Sequence, residues 1–265
     1  MKASTSDVQS GMALAIVTLV AILATLAVNT LSNFFPPNGL NIGAIANTLL
    51  KGVQITPANY AFAIWGLIYL GLIAYGVYQL RSAQHHQPST RRVNVLLIVA
   101  CVAQIVWVYL FTLQQFWLSV IAMFAILLSL IGAYLQLHAS RRSPGNGRAS
   151  REQRWLVYTP FSVYLGWISV ATIVNVASAL YSSNWNGWGI SAVAWTVVML
   201  IAGAVIAAIV ILRYADIPFG LVFIWAYVAI AIRQSSVVPI WITAAAAAIG
   251  LAVIGFRAAA QTTKT

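Results

Sequence analysis

Residues 164–175 read YLGWISVATIVN, a polar and aromatic insertion in the middle of a long apolar segment. At 100° per residue, Tyr164, Trp167, Ala171 and Asn175 fall within a wedge of about 80° on a helix, so they form one face. If the segment enters a bilayer near Trp155, Trp167 lies about 18 Å further along the axis. That is mid-membrane depth, away from the headgroup belts where tryptophan usually sits. Something other than lipid should face it.

The rest of the chain has the same character. Of 265 residues, 62% are hydrophobic and 6% charged, with a mean hydropathy of +0.89, values outside the range of soluble domains. The reading is an all-α, polytopic integral membrane bundle of about eight transmembrane helices. One cysteine, Cys101, lies in an apolar run, which excludes an intrachain disulfide and a thiolate metal cluster. His85, His86 and His138 do not assemble a metal site by spacing.

Taken in order, the first apolar run is 12–28, read as an uncleaved membrane helix because it is long and lacks a small-x-small cleavage site. A loop over 33–57 contains Pro36, Pro37, Gly39 and Gly43, has Lys51 as its only charge, and is long enough to carry a short helix. Pro57 precedes the second span, 59–80, on which Phe62, Trp65, Tyr69, Leu72 and Gly76 share a face. The third span, 93–112, places Gln104, Trp107 and Phe111 on one narrow face and forms a hairpin with the fourth, 116–138. The fifth, 155–181, carries the opening stretch, with Pro160 expected to kink its first turns. Spans six to eight are 190–212, 217–232 and 239–256. The seventh is short: either it is tilted little, or it extends back through Asp216 and Arg213, which at three residues' spacing would pair.

With eight spans and both termini cytoplasmic, the 14 basic residues fall on the inner side except for Lys51 and Arg233. The densest cluster is Arg141, Arg142, Arg148, Arg151 and Arg154, in a loop with Pro144, Gly145 and Gly147. Positive-inside topology thus accounts for the basic balance, and nucleic acid is not needed to explain it. The placement is that of a bacterial inner membrane or its equivalent. An internal repeat is weak: FAIWGLIY in the second span and VFIWAYVA in the seventh are loosely alike.

Rings and amides are the chemistry on offer. The three aromatic faces, with Gln104 and Asn175, suit the wall of a cavity for a flat apolar ligand, rings stacking on its faces and amides orienting it. The same faces also suit plain helix packing, with the amides bonding across an interface. Trp117, Trp155, Trp185 and Trp188, near span ends, read as interfacial anchors. Asp7, Glu152 and Asp216 lie in loops or at span ends, so no carboxylate pair or triad stands in the core, which argues against a hydrolase or a carboxylate proton pump. His138 ends the fourth span, where an interfacial cap is a commoner role than an axial haem ligand. Leu72, Tyr78 and Arg81 fit the loose cholesterol-contact pattern.

With these spans placed, the chain resembles the tryptophan-rich sensory protein family, TspO, also called the peripheral benzodiazepine receptor family. The fifth span carries the family's YxxWxxxATxxN as Tyr164, Trp167, Ala171, Thr172 and Asn175. The third matches through Gln104, Trp107 and Phe111, with Gln104 where the family usually has Asn. The second is similar through Pro57, Tyr60, Phe62, Trp65 and Tyr69. Val163 stands where the family has a proline, Phe62 to Trp65 is one residue shorter than usual, and Tyr60 stands near the family's loop tryptophan.

The resemblance implies a five-helix core over 11–182 enclosing a cavity for porphyrin, haem or a sterol-like molecule. To this it adds three helices over 183–257, with polar tails at 1–10 and 258–265. The implied wall is Tyr60, Phe62, Trp65, Tyr69, Gln104, Trp107, Phe111, Tyr164, Trp167, Ala171 and Asn175. It implies a non-enzymatic binding or sensory protein with a regulatory or trafficking role and no required cofactor. Light-dependent porphyrin breakdown, known in bacterial relatives, would then centre on Trp167 and Tyr60. The expected partners are the lipid bilayer and a planar hydrophobic small molecule, with a homodimer or larger membrane complex open. Two other readings stand beside it: a transporter of a small hydrophobic molecule, using the added helices as a moving element, and an accessory subunit docking through the small residues Ala244 to Ala248, Gly250 and Gly255.

Overall fold

The computed structural model describes residues 5–81, 88–142 and 150–262, and among them every regular element is helical. His85, His86, Lys2, Pro144, Gly145, Gly147, Arg148 and Lys264 lie outside the described residues, and the side chains of Asp7, Arg141 and Arg142 are likewise outside. The helices are α1 (Thr5–Phe34), α2 (Ile42–Asn47), α3 (Ile64–Tyr78, led by a 3₁₀ turn at Asn59–Ala63), α4 (Pro88–Thr112) and α5 (Phe116–Arg142). They continue with α6 (Arg151–Ser182), α7 (Ala192–Tyr214), α8 (Ile217–Arg233) and α9 (Val238–Thr262). Seven are long and apolar enough to cross a membrane, and α8 is a shorter apolar helix of 17 residues. The eight expected spans correspond to α1 and α3–α9, and α2 is the short helix expected in the loop over 33–57.

Local chemistry sets the helix ends. Ser150 caps α6 through a capping box: its Oγ accepts from Gln153 N, and Gln153 Oε1 accepts from Ser150 N, each at 3.1 Å. Four residues after Ser150, Arg154–Tyr158 form a π turn. Pro160 follows it closely; a proline brings no N–H to the ladder and its ring crowds the preceding turn, so the widened turn is the form taken by the irregularity expected there.

Between α7 and α8 the structure rules out the alternative of a helix running back through Arg213. Ala215 takes the left-handed conformation (φ 51°), ending α7. Asp216 then caps α8, its Oδ1 accepting from Phe219 N at 3.1 Å. The carboxylate serves a helix start, while the Arg213 guanidinium lies over the Tyr214 ring.

By internal contacts the described residues form two compact units: those of Met1–Asn41 with Trp65–Leu165, and those of Ile42–Ile64 with Gly166–Thr265. In the first, α4 packs along both α1 and α5. Polar bonds cross between its helices: Tyr75 Oη donates to Asn94 Oδ1 (2.6 Å), and Gln79 Nε2 to Ala15 O (3.3 Å). An exposed ion pair, Arg81 with Glu152, joins the end of α3 to the start of α6.

In the second unit α7, α8 and α9 pack on one another. Ala244, Ala248 and Leu251 of α9 are buried, so part of its small-residue run is used within the chain. Between α6 and α7, Trp185, Trp188 and Trp195 cluster with centroids 5.3–6.0 Å apart, and Trp188 is left-handed (φ 54°). Gly203 is a close-approach position: a Cβ there would meet Tyr227 Oη at 2.5 Å, and that hydroxyl donates to Leu200 O at 2.6 Å. Gly203→Ala is expected to cost about 1 kcal/mol, the low end of overpacking, because the ring must shift and weaken its bond. Equilibrium unfolding in mixed detergent micelles checks it.

Candidate ligand-binding faces

The expected wall residues divide between the two units. Trp65, Tyr69, Gln104, Trp107, Phe111 and Tyr164 belong to the first; Tyr60, Phe62, Trp167, Ala171 and Asn175 belong to the second.

In the first unit, α1, α3, α4 and α6 converge on a polar and aromatic cluster. Asn29 Nδ2 on α1 donates to Tyr69 Oη on α3 at 2.7 Å, both residues buried. One turn earlier on α1, Thr25 Oγ1 lies 3.4 Å from Cys101 O on α4. Tyr69 stacks on Trp65 (5.6 Å, 25°), which meets Tyr164 of α6 edge-on (6.1 Å, 66°). On α4, Trp107 stacks on Phe111 (5.2 Å, 29°), whose ring meets Phe116 of α5 edge-on. The spacings of three and four that suggested these faces are thus realised as ring contacts within and between helices.

Gln104 stands out in this cluster. It is 0% exposed, one turn beyond Cys101, and among the described residues neither its Oε1 nor its Nε2 has a hydrogen-bond partner. Burying an unbonded amide costs about 1–3 kcal/mol by protein mutational data. Its neighbours in kind each make at least one side-chain bond, Asn29 and Asn94 across helices and Gln79 through Nε2, while Gln79 Oε1 is also unbonded; Gln104 differs in having both amide atoms unbonded. The helix carries this cost at the start of its aromatic face, one turn before Trp107.

In the second unit, Trp167 is 2% exposed and meets Phe62 edge-on (6.0 Å, 86°). Asn175 is buried two turns further along α6, and Ala171 between them is half-buried. Tyr60 is 40% exposed, and its ring meets Trp225 of α8 edge-on (5.2 Å, 85°). Trp225 was not among the expected wall residues. The only signal for it in the sequence was the loose likeness of its segment to the second span.

Two spaces lie elsewhere. A cavity of about 60 Å³ is lined by Tyr75, Gln79, Thr90, Leu137, Gln153 and Tyr158, among others. An open apolar groove of about 580 Å³ runs between α8 and α9 beside Trp241 and Ala245. Neither is lined by an expected wall residue. His138 packs between Tyr134 and Tyr158, and no group of His, Cys, Asp and Glu able to hold a metal occurs among the described residues.

Apolar helices of membrane-spanning length, packed through buried aromatic faces, define an integral membrane protein of the all-helical, polytopic class. Within that class the chain belongs to the TSPO-like protein family, whose model matches residues 15–257. The matched range takes in α7, α8 and most of α9. No curated protein and no solved structure matches the chain.

Proposed function

We propose that the chain is a membrane binding and sensory protein that holds a planar, largely apolar ligand, a porphyrin or haem, against its aromatic faces, with both termini cytoplasmic. One observation carries the reading: Gln104, fully buried on a face that includes Trp107 and Phe111, has an unbonded donor and an unbonded acceptor. The peripheral carboxyl groups of such a macrocycle accept from the amide N–H and, when protonated, donate to its carbonyl, and its flat faces suit stacking on indole and phenol rings. Family membership supports a ligand-binding role in general. The bound molecule acts as a signal or a cargo, and no chemistry on it is assigned to these residues.

Titrating the purified chain in lipid nanodiscs with protoporphyrin, followed by absorbance and tryptophan quenching, tests the reading. The expected result is saturable binding. Trp167→Phe keeps a ring against Phe62 but loses the indole, and should weaken binding about tenfold, or about 1.4 kcal/mol. Non-saturating uptake, or affinity indifferent to both Trp167→Phe and Gln104→Leu, would overturn it.

A further inference from the structure

The segment Ile42–Ile64 carries Tyr60 and Phe62, and within its unit it is fastened to the far end of α8. Arg233, the last residue of that helix, donates from Nη1 to Asn47 Oδ1 (3.0 Å) and to Pro57 O (3.3 Å), and from Nη2 to Ala46 O (3.3 Å). One guanidinium therefore ties Ala46 and Asn47 to Pro57, ten to eleven residues further along the segment. Gln234 Nε2 donates to Gln54 O at 2.9 Å. Along α8, Ala229 O accepts from Ala58 N (3.1 Å), and Trp225 Nε1 donates to Ala61 O (3.1 Å) while its ring meets Tyr60. Asn47 passes the restraint on by donating from Nδ2 to Asn59 Oδ1 at 2.9 Å.

The chemistry of these bonds is selective. The acceptors of Arg233 are neutral, two of them main-chain carbonyls, so the bonds hold position without neutralising charge. A planar fork reaches separate acceptors at fixed angles, which a lysine ammonium on a flexible stem does not reproduce. The restrained stretch runs directly into Phe62, whose ring stands edge-on to Trp167. We propose that α8 is a template for the segment 42–64 and that Arg233 is a positioning residue, acting through Tyr60 and Phe62 to set how fast ligand exchanges at Trp167. The ligand part rests on the function proposed above; the template part does not.

Hydrogen exchange on the full chain in nanodiscs, without ligand, reads the template directly. In Arg233→Ala the amides of Val53, Thr56 and Ala58, which bond within the segment or to α8, should exchange at least tenfold faster, while those of α4 and α5 keep their wild-type rates. Arg233→Lys should recover only part of the protection. Trp225→Phe, which keeps a ring beside Tyr60 but loses the bond to Ala61 O, should loosen the turn at 59–63 and serves as the test if Arg233→Ala does not fold. Unchanged exchange in these variants overturns the template. Stopped-flow displacement of protoporphyrin then reads the ligand part, expected to be severalfold faster in Arg233→Ala. Faster segment exchange with unchanged displacement overturns the ligand part alone. A wild-type chain that binds no protoporphyrin overturns the proposed function, and the exchange measurement still decides whether the template stands.

Discussion

Gln104→Leu is expected to raise the stability of the ligand-free protein while lowering its affinity for protoporphyrin. The side chain is wholly buried and its amide makes no hydrogen bond, so leucine of similar volume removes a desolvation cost without breaking a bond. The gain should be about 1–3 kcal/mol, seen as a higher midpoint in thermal or detergent unfolding. The same change deletes the donor and acceptor assigned to the ligand, and a good hydrogen bond lost from a site that excludes water should cost about tenfold in affinity. Opposite signs in the two assays separate a binding residue from a packing residue. If Gln104→Leu destabilises the protein, the amide is bonded in the working state by something within the chain, and the binding role fails.

Tyr69→Phe should be costly in a way that a second substitution repairs. Tyr69 Oη accepts from Asn29 Nδ2 at 2.7 Å in the interior of the first unit. Removing only the hydroxyl strands a buried amide donor, at about 1–3 kcal/mol, and Asn29→Leu alone strands the hydroxyl at a similar cost. The double variant removes both partners and should lie well above the sum of the single losses. A cycle measured by equilibrium unfolding checks this; simple additivity would mean that the bond does not join α1 to α3 in the folded protein.

The spans were legible because each is an apolar run long enough to cross a bilayer, a property of composition that needs no partner to be read. Even the short α8 was visible between Asp216 and Arg233. The faces on α3, α4 and α6 were legible for a similar reason: a spacing of three and four on a helix is decided locally, and Gln104, Trp107, Tyr164, Trp167 and Asn175 are all buried. What these residues do with one another was not. Whether Gln104 finds a partner depends on which side chains of other helices arrive beside it. Periodicity does not encode that.

The fastening of 42–64 to α8 was hidden for a plainer reason. Arg233 and its acceptors are 176 to 187 residues apart in sequence, and charge placement marked Arg233 only as one of two basic residues on the sparsely charged side. The left-handed Ala215 was equally hidden, since alanine favours helix and the reversal there comes from the capping of α8 by Asp216. The three C-terminal helices read as an addition; in the structure the last residues of α8 hold the segment that leads into α3.

The π turn at Arg154–Tyr158 has a consequence for the helix that follows it. Such a turn inserts one residue beyond the α-helical count, and one residue is about 100° of rotation about the axis. It therefore acts as a phase shifter: it decouples the azimuth of the capped, charged start of α6 from that of Tyr164, Trp167, Ala171 and Asn175. Lengthening or shortening the chain by a residue within those five positions would leave every side chain of the face intact in identity and turn the whole face toward different neighbours.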